Sequence, residues 1–152
     1  MIKILFICHG NICRSPLAEY MMKREIASRG VEDSFTVISR ATSTEELGNP
    51  VYPPMASLMR QHGFEFGSHR ARQITRKEFD ESDMIVAMDQ NNLRNLGRMF
   101  GPLEKGRIRL LSDFTDTFIG DVEDPWWTGN FERVYEEIEA GVKGLLDSLM
   151  EK

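Results

Sequence analysis

A cysteine and an arginine that flank one short loop are the residues of this sequence best suited to chemistry. Cys8 ends an apolar run, and Arg14 stands where a segment with helical spacing begins. Because the first N–H groups of a helix lack partners within the helix, a loop curled over this start could hold a phosphate-like anion. The same N–H groups would stabilise a thiolate at Cys8, and the planar guanidinium of Arg14 matches two phosphate oxygens. The stretch therefore predicts an anion-binding loop with a nucleophile at its base.

The neighbouring residues fit the same loop. Gly10 and Asn11 tolerate the positive φ that a tight loop of inward N–H groups often needs. Ser15 could donate its hydroxyl to the sulfur and make it a better leaving group. Pro16 suits the first helical position, where no N–H donor is required. The structural alternative, in which Cys8 only ends a buried strand, leaves an arginine beside the positive end of a helix with no anion to meet it.

Length and composition bound the class of protein. The 152 residues suit one hydrophobic core, so we expect a single domain spanning residues 1–152. A formal net charge of −5 argues against nonspecific nucleic-acid binding. No apolar run is long enough for a membrane span, and the first residues do not resemble a signal peptide. Cys8 and Cys13 lie in one loop, unlike a secreted disulfide framework, so we expect a cytoplasmic location. No residues have metal-ligand spacing, and we expect no metal and no cofactor.

Strand and helix patterns alternate along the chain. Apolar runs at residues 2–7, 35–38, 84–88 and 108–111 indicate strands, and the segments between them contain helical periodicity. Residues 112–129 are typical of one long polar loop, with a last helix beginning near Asn130. This order predicts an α/β fold of three layers: a four-stranded parallel sheet with helices on both faces and a phosphate-binding loop between strand 1 and helix 1. Ligands bind such sheets beyond the carboxyl ends of the strands.

Hydrolysis of a phosphate ester also needs an acid to protonate the leaving group. The candidates in the late loop are Asp113, Asp116, Asp121, Glu123 and Asp124. Asp124 stands out because Pro125, Trp126 and Trp127 follow it. The aromatic rings could desolvate the carboxylate, which favours the protonated form, or stack on an aromatic substrate. From these residues alone, an Asp-Pro turn with tryptophans at the edge of the core fits equally well.

Two histidines have both a functional and a structural interpretation. His69 could orient Asn11 or a carbonyl of the loop, or it could be an ordinary core or surface histidine. His9 directly follows the cysteine, which puts it near the mouth of the expected pocket.

Several motifs, in order, resemble the low-molecular-weight protein tyrosine phosphatase family along nearly the whole chain. They lie at residues 8–16 (CHGNICRSP), 41–44 (ATST) with 48–50 (GNP), 68–74 (SHRARQI), 88–89 (MD) with 92–93 (NL), and 123–125 (EDP). The resemblance implies a four-stranded parallel sheet flanked by helices. It also implies cysteine-dependent hydrolysis of aryl phosphate monoesters through a phosphocysteine intermediate.

The resemblance implies individual roles as well. Cys8 matches the nucleophile, Arg14 the phosphate clamp, and Asp124 the general acid that later activates water. The residues expected to contact substrate are His9, Gly10, Asn11, Ile12, Cys13, Glu45, Trp126 and Trp127.

Supporting roles follow from the same resemblance. Ser15 and Asn11 match residues that poise the thiolate and hold the loop, and His69 matches the partner of that asparagine. Cys13 matches the neighbour that can form a reversible disulfide with Cys8 on oxidation.

The sequence departs from the family pattern near the expected pocket. Trp126 and Trp127 stand where many members carry tyrosines, which removes hydroxyls that kinases modify in some relatives. Glu45 replaces an aromatic wall, so the pocket mouth should disfavour acidic phosphopeptides. His9 is a polar choice that would tune specificity.

Other functions on this scaffold remain open from the sequence. An arsenate reductase needs further cysteines downstream, and none follows Cys13. Protein-arginine phosphatases resemble a version with threonine in place of Ile12, which here favours a phenyl ring. For a phosphocysteine carrier, Arg14 and Asp124 would be liabilities, and a phosphate-binding module would not need Cys8. We expect a phosphotyrosine protein or small aryl phosphate as partner, no nucleic acid or membrane, and a monomer or weak dimer.

Overall fold

A parallel sheet forms the centre of the molecule. Its strands are β1 (Ile2–Cys8), β2 (Phe35–Ala41), β3 (Met84–Ala87) and β4 (Ile108–Leu110), and their spatial order is β2-β1-β3-β4. Every neighbouring pair runs parallel. The computed structural model describes residues 1–151. The predicted α/β class with four parallel strands is confirmed.

Helices connect the strands. They are α1 (Arg14–Ser28), α2 (Pro53–Gln61), α3 (Arg76–Glu81), α4 (Gln90–Phe100), α5 (Pro125–Thr128) and α6 (Phe131–Met150), with 3-10 turns at Glu32–Ser34 and Leu111–Phe114. Across residues 1–151, no helix is both long enough and apolar enough to cross a membrane.

Side chains of β1 alternate between two hydrophobic clusters because successive residues of a strand point to opposite faces. Ile4 and Phe6 join the larger cluster, which includes buried residues of α1, α2 and α6. Leu5 and Ile7 join the smaller cluster with residues of α3 and α4, among them Leu96. Helices therefore cover both faces, as the alternating pattern predicted.

Several predicted boundaries shift in the structure. Helix α1 begins at Arg14, so Pro16 is the third helical residue and not the first; its missing N–H costs little there, because the first turn has no intrahelical acceptors. Strand β2 continues to Ala41. Residues 112–129 are not one continuous loop, since the chain forms a 3-10 turn at Leu111–Phe114 and the short helix α5.

Two glycines of α6 allow a close approach to the turn Leu111–Phe114. A Cβ on Gly141 would overlap the side chain of Leu111, and a Cβ on Gly144 would overlap the carbonyl of Phe114. Because this turn begins the segment that leads to Asp124, the contact with α6 anchors one end of the predicted acid loop.

Candidate active site

The carboxyl ends of the two central strands form the site. Strand β1 leads into α1 on one face of the sheet, whereas β3 leads into α4 on the other. The loops that follow them diverge and leave a crevice, which is the usual ligand position in an open α/β sheet. Cys8 ends β1 at this crevice.

The sulfur of Cys8 lies among hydrogen-bond donors. The backbone N–H of Asn11 donates to Sγ at 3.3 Å, and the Ser15 hydroxyl lies 3.0 Å from the same sulfur. Since the Ser15 oxygen already accepts from Nδ2 of Asn11 at 2.8 Å, its own hydrogen is free to point at the sulfur. Donors of this kind stabilise a thiolate.

Asn11 holds the shape of the loop. Its φ of 60° is the only positive value at a non-glycine residue within residues 1–151. The side chain compensates for this strain: Nδ2 donates to the hydroxyls of Ser15 and Ser39, and Oδ1 accepts from the backbone N–H of Arg72. The side chain is fully buried, so these bonds are not replaced by water.

Gly10 has another reason to be glycine than the sequence suggested. It has no positive φ, so of the two residues that tolerate such a conformation only Asn11 adopts it. A Cβ at this position would approach Cγ of Glu46 to 3.3 Å. A side chain at this position would therefore require that of Glu46 to shift by a few tenths of an ångström.

The imidazole ring of His69 contacts a backbone carbonyl of the loop. Nε2 lies 2.9 Å from the carbonyl oxygen of Asn11. Because a carbonyl only accepts, this nitrogen carries a hydrogen and donates it. The ring also packs edge-on against Tyr20.

The sequence motifs do not predict the buried hydrogen-bond network that lies behind the loop. The Ser39 hydroxyl donates to Oε1 of Glu19 at 2.6 Å, and Nζ of Lys23 donates to Oε2 at 2.6 Å. Glu19 thereby accepts the last hydrogen bond in a chain that starts at Asn11. A signal existed, because Glu19 shares the buried face of α1 with Ser15 and carries a charge there.

The guanidinium of Arg14 is buried and held by two acceptors. Arg14 is 2% exposed, and its Nη1 donates to Oδ2 of Asp89 and to the carbonyl of Val122, each at 2.8 Å. Burial opposes the charge, but the negative charges of Cys8 and Asp89 outweigh it and raise the pKa of Arg14. The residue remains a cation and is held in place before any anion arrives.

Asp89 caps helix α4. Its Oδ1 accepts from the backbone N–H of Asn92, while the Asn92 side chain accepts from the N–H groups of Met88 and Asp89. The additional bond from Arg14 was not foreseen. Its signal was the position of Asp89 just beyond the end of β3, at the same sheet edge as Cys8.

Asp124 is the one carboxylate of the late loop that reaches this crevice. Its Oδ1 accepts from the N–H of Trp126 at 3.0 Å and so caps α5, while Oδ2 lies 3.6 Å from Nη2 of Arg14. Trp126 and Trp127 are 46% and 82% exposed, so they do not fill a core edge. The Trp126 ring packs on Tyr52 with centroids 4.5 Å apart.

The crevice is a cavity of about 530 Å³. Its walls contain all the predicted catalytic and substrate residues except Ser15 and Asn11, which lie behind the loop. The sequence missed Glu46, Asp89 and Asn91. The lining residues are Cys8, His9, Gly10, Ile12, Cys13, Arg14, Glu45, Glu46, Asp89, Asn91, Asp124, Trp126 and Trp127.

The mouth of the cavity is acidic. Oε2 of Glu45 accepts a hydrogen bond from Nε2 of His9 at 2.9 Å. This pair connects the loop after β1 to the segment after β2. Glu46 lies beside it. The expected acidic wall at Glu45 is therefore present, and His9 is its partner.

Cys13 differs from Cys8 in its surroundings. Both cysteines are free and buried. Burial, together with the negative charges of Cys8 and Asp124, raises the pKa of the Cys13 thiol. Cys13 therefore stays protonated at neutral pH.

Comparisons with known proteins agree with this geometry. The model of the family described as low molecular weight phosphotyrosine protein phosphatase matches residues 3–152. The low molecular weight protein-tyrosine-phosphatase YfkJ of Bacillus subtilis is 37% identical over 153 residues, covering 100% of this chain and 98% of that protein. The low molecular weight phosphotyrosine protein phosphatase of Rattus norvegicus is 38% identical over 148 residues, covering 95% and 93%.

Solved structures have the same fold. The crystal structure of YfkJ from Bacillus subtilis superposes with a TM-score of 0.95 at 36% identity, covering 99% of this chain and 96% of that one. The crystal structure of the drosophila arginine phosphatase DARP superposes with a TM-score of 0.87 at 29% identity, covering 97% of each chain.

Proposed function

Because the chain belongs to the low molecular weight phosphotyrosine protein phosphatase family, we propose that it hydrolyses phosphotyrosine in proteins, and aryl phosphate monoesters generally. One observation carries the proposal: a cysteine, a buried guanidinium and a carboxylate 3.6 Å from that guanidinium line the same cavity. They are Cys8, Arg14 and Asp124. A nucleophile, an anion clamp and an acid are the groups that transfer of a phosphoryl group to sulfur requires.

In the first step, the phosphoryl group lies in the loop, with Arg14 on its oxygens. The Cys8 thiolate attacks phosphorus, the S–P bond forms, and the bond from phosphorus to the phenolic oxygen breaks. Asp124, in its acid form, gives its proton to the departing phenolate. The attack is favoured because Asp89 already holds the Arg14 guanidinium in place, so the cation does not have to reorganise around the negative phosphoryl oxygens.

In the second step, water replaces the phenol. Asp124, now a carboxylate, takes a proton from the water, whose oxygen attacks phosphorus while the S–P bond breaks. The thiolate leaves with both bonding electrons and the Ser15 hydroxyl, 3.0 Å away, donates to it. Inorganic phosphate and the starting enzyme result.

The walls of the cavity favour an aromatic leaving group. Ile12, Trp126 and Trp127 supply apolar surface beside the loop. We propose one catalytic domain over the whole chain, as a monomer or weak dimer, in a reducing compartment such as the cytoplasm, since a free Cys8 is needed for turnover.

A direct test uses para-nitrophenyl phosphate with EDTA and no added metal. We expect turnover by the wild type and by Cys13→Ser, and none by Cys8→Ser. Rapid acid quenching with labelled substrate should trap a phosphoenzyme on Cys8. Loss of all wild-type turnover on chelation, or a trapped label on another residue, would contradict the cysteine mechanism.

Protein-arginine phosphatase activity is the second candidate, supported by the structural likeness to the drosophila arginine phosphatase and by the carboxylates of Glu45 and Glu46 at the mouth. Ile12 favours a phenyl ring over a guanidinium. Parallel turnover of phosphotyrosine, phosphoserine and phosphoarginine by one preparation distinguishes the two candidates.

A further inference from the structure

A second cavity, of about 490 Å³, lies between the segment 116–121 and helix α6. We call it the α6 pocket. Four carboxylates line it, from Asp116, Asp121, Glu136 and Glu137, together with one guanidinium from Arg133. None of these residues takes part in the proposed chemistry. Because the carboxylates outnumber the guanidinium, the electrostatic potential inside the pocket is negative and favours a cation.

Glu137 has one buried carboxylate oxygen without a hydrogen-bond donor. The residue is 7% exposed and its side chain is 10% exposed, yet no described residue donates a hydrogen bond to its buried Oε1. Oε2 lies 3.6 Å from Nε of Arg133, whose own side chain is 68% exposed. Buried carboxylate oxygens are rarely left without a donor. Burial, with the nearby charge of Glu123, also raises the pKa of Glu137, in spite of Arg133.

The rim of the pocket is apolar. Ile119 is 95% exposed, and the half-buried Phe118 lies next to it. Asp116 and Glu136 form no ion pair within residues 1–151 and are available to a ligand. An apolar wall leading to carboxylates suits a lysine or arginine side chain, because its stem packs on apolar surface while its head donates to oxygen.

A short, hydrogen-bonded segment of chain joins the pocket to the active site. Asp121 lines the pocket and accepts from the N–H of Gln90, at the start of α4. The next residue, Val122, donates to the carbonyl of Met88 and accepts from Arg14. Asp124 then lines the active site. Three residues of extended chain span at most about 10 Å, so the wall of the α6 pocket at Asp121 lies within about that distance of Asp124.

We propose that the α6 pocket binds a lysine or arginine side chain of the protein whose phosphotyrosine occupies the active site. The inference rests on the proposed function and adds a substrate preference to it. A basic residue a few positions from the phosphotyrosine anchors the substrate without touching the reacting atoms, so it raises kcat/KM for peptides and leaves small aryl phosphates unaffected.

The experiment uses phosphotyrosine peptides that carry lysine at one flanking position after another, each matched by a peptide with norleucine there. Norleucine keeps the alkyl stem and removes the charge. In the wild type, lysine at one or two positions should raise kcat/KM about fivefold over norleucine, as one favourable partly buried charge pair would. The double variant Asp116→Asn/Glu136→Gln should lose most of this advantage. Glu139→Gln, on α6 outside the pocket, should keep it.

The outcomes are separable. Turnover of the norleucine peptides and of para-nitrophenyl phosphate tests the proposed function, whereas the lysine advantage tests the pocket. Three results would overturn the inference: kcat/KM that is no higher for lysine than for norleucine peptides, an increase that is equal at all positions, or an increase that persists in the double variant. Saturable binding of putrescine, with no lysine advantage, would identify a site for free diamines and also overturn it.

Discussion

The carboxylate of Asp89 accepts a hydrogen bond from Arg14 on one oxygen and from the first turn of α4 on the other. Oδ2 accepts from Nη1 of Arg14 at 2.8 Å, and Oδ1 accepts from the N–H of Asn92 at 2.8 Å. The helix that follows β3 thus fixes the guanidinium that follows β1. Asp89 therefore holds in place the guanidinium that we propose as the phosphate clamp.

Replacing Asp89 should therefore weaken catalysis before it weakens the fold. In Asp89→Asn, a side-chain oxygen can still cap α4, but the charge that holds Arg14 is lost. We expect kcat/KM for para-nitrophenyl phosphate to fall about tenfold, on the scale of one lost charge-assisted hydrogen bond. Inhibition by inorganic phosphate should weaken in parallel. Asp89→Ala should in addition lose about 1 kcal/mol of stability with the cap. Wild-type kinetics in the asparagine variant would show that Arg14 does not depend on Asp89.

Asp124→Asn should slow turnover according to the leaving group. Phenolate needs a proton to depart, whereas para-nitrophenolate is a stable anion. The decrease in turnover rate should therefore be greater for phenyl phosphate than for the nitrophenyl ester. For phenyl phosphate we expect about 100-fold or more, as for removal of a general acid. Steady-state rates across substituted phenyl phosphates measure this. An equal loss for all of them would mean that the acid lies elsewhere.

Mild peroxide should inactivate the enzyme reversibly by joining Cys8 to Cys13. The two thiols lie in one loop and line the same cavity, and the Cys8 thiolate is the form that oxidises first. Intact-mass analysis should show the loss of two hydrogen atoms, regained with dithiothreitol. Cys13→Ser should be inactivated as well, but with oxygen added to Cys8 and poorer recovery. Reversible inactivation of this variant without added oxygen would argue against the disulfide.

Gly144→Ala should destabilise the fold. The added methyl would overlap the carbonyl of Phe114 and push α6 away from the turn Leu111–Phe114, which typically costs about 1–3 kcal/mol. Gly97→Ala in α4 is the matched control, because nothing lies within 4 Å of the added Cβ. At that position, alanine should raise the free energy of unfolding by about 0.5–1 kcal/mol. Urea unfolding of both variants checks the contrast, and similar shifts in the two would contradict it.

Glu137→Gln should raise stability at neutral pH. Because burial raises the pKa of Glu137, the folded protein binds this proton more tightly than the unfolded chain does. The stabilisation is complete below the unfolded pKa, near about 4.3, and is lost as pH rises through the folded value. Glutamine does not titrate, so the variant should match the wild type near pH 4 and exceed it in Tm at pH 7. A Tm difference that does not change with pH would exclude the titration of Glu137 as its cause.

Local patterns in the sequence were enough for the four strands, for the longer helices and for the loop from Cys8 to Arg14, but not for the short helix α5. The apolar run of β1, the helical spacing of α1 and the capping residues Thr75 and Asp89 all act over a few residues, so their spacing predicts local structure directly. The proposed nucleophile Cys8 and the proposed phosphate clamp Arg14 lie in one such local unit. The α/β class followed from the alternation of strands and helices.

Only the tertiary structure decided which distant residues join that unit. Asp89 and Asp124 lie far from Arg14 in sequence yet contact it, because the order β2-β1-β3-β4 brings the ends of β1 and β3 together. Alternation of strands and helices does not specify that order. The bond between Glu19 and Ser39, and the packing of Trp126 on Tyr52, likewise join segments that no local spacing relates. The sequence by itself determined the local unit from Cys8 to Arg14 and offered Asp124 as a candidate, whereas long-range packing decided that Asp89 and Asp124 lie against Arg14.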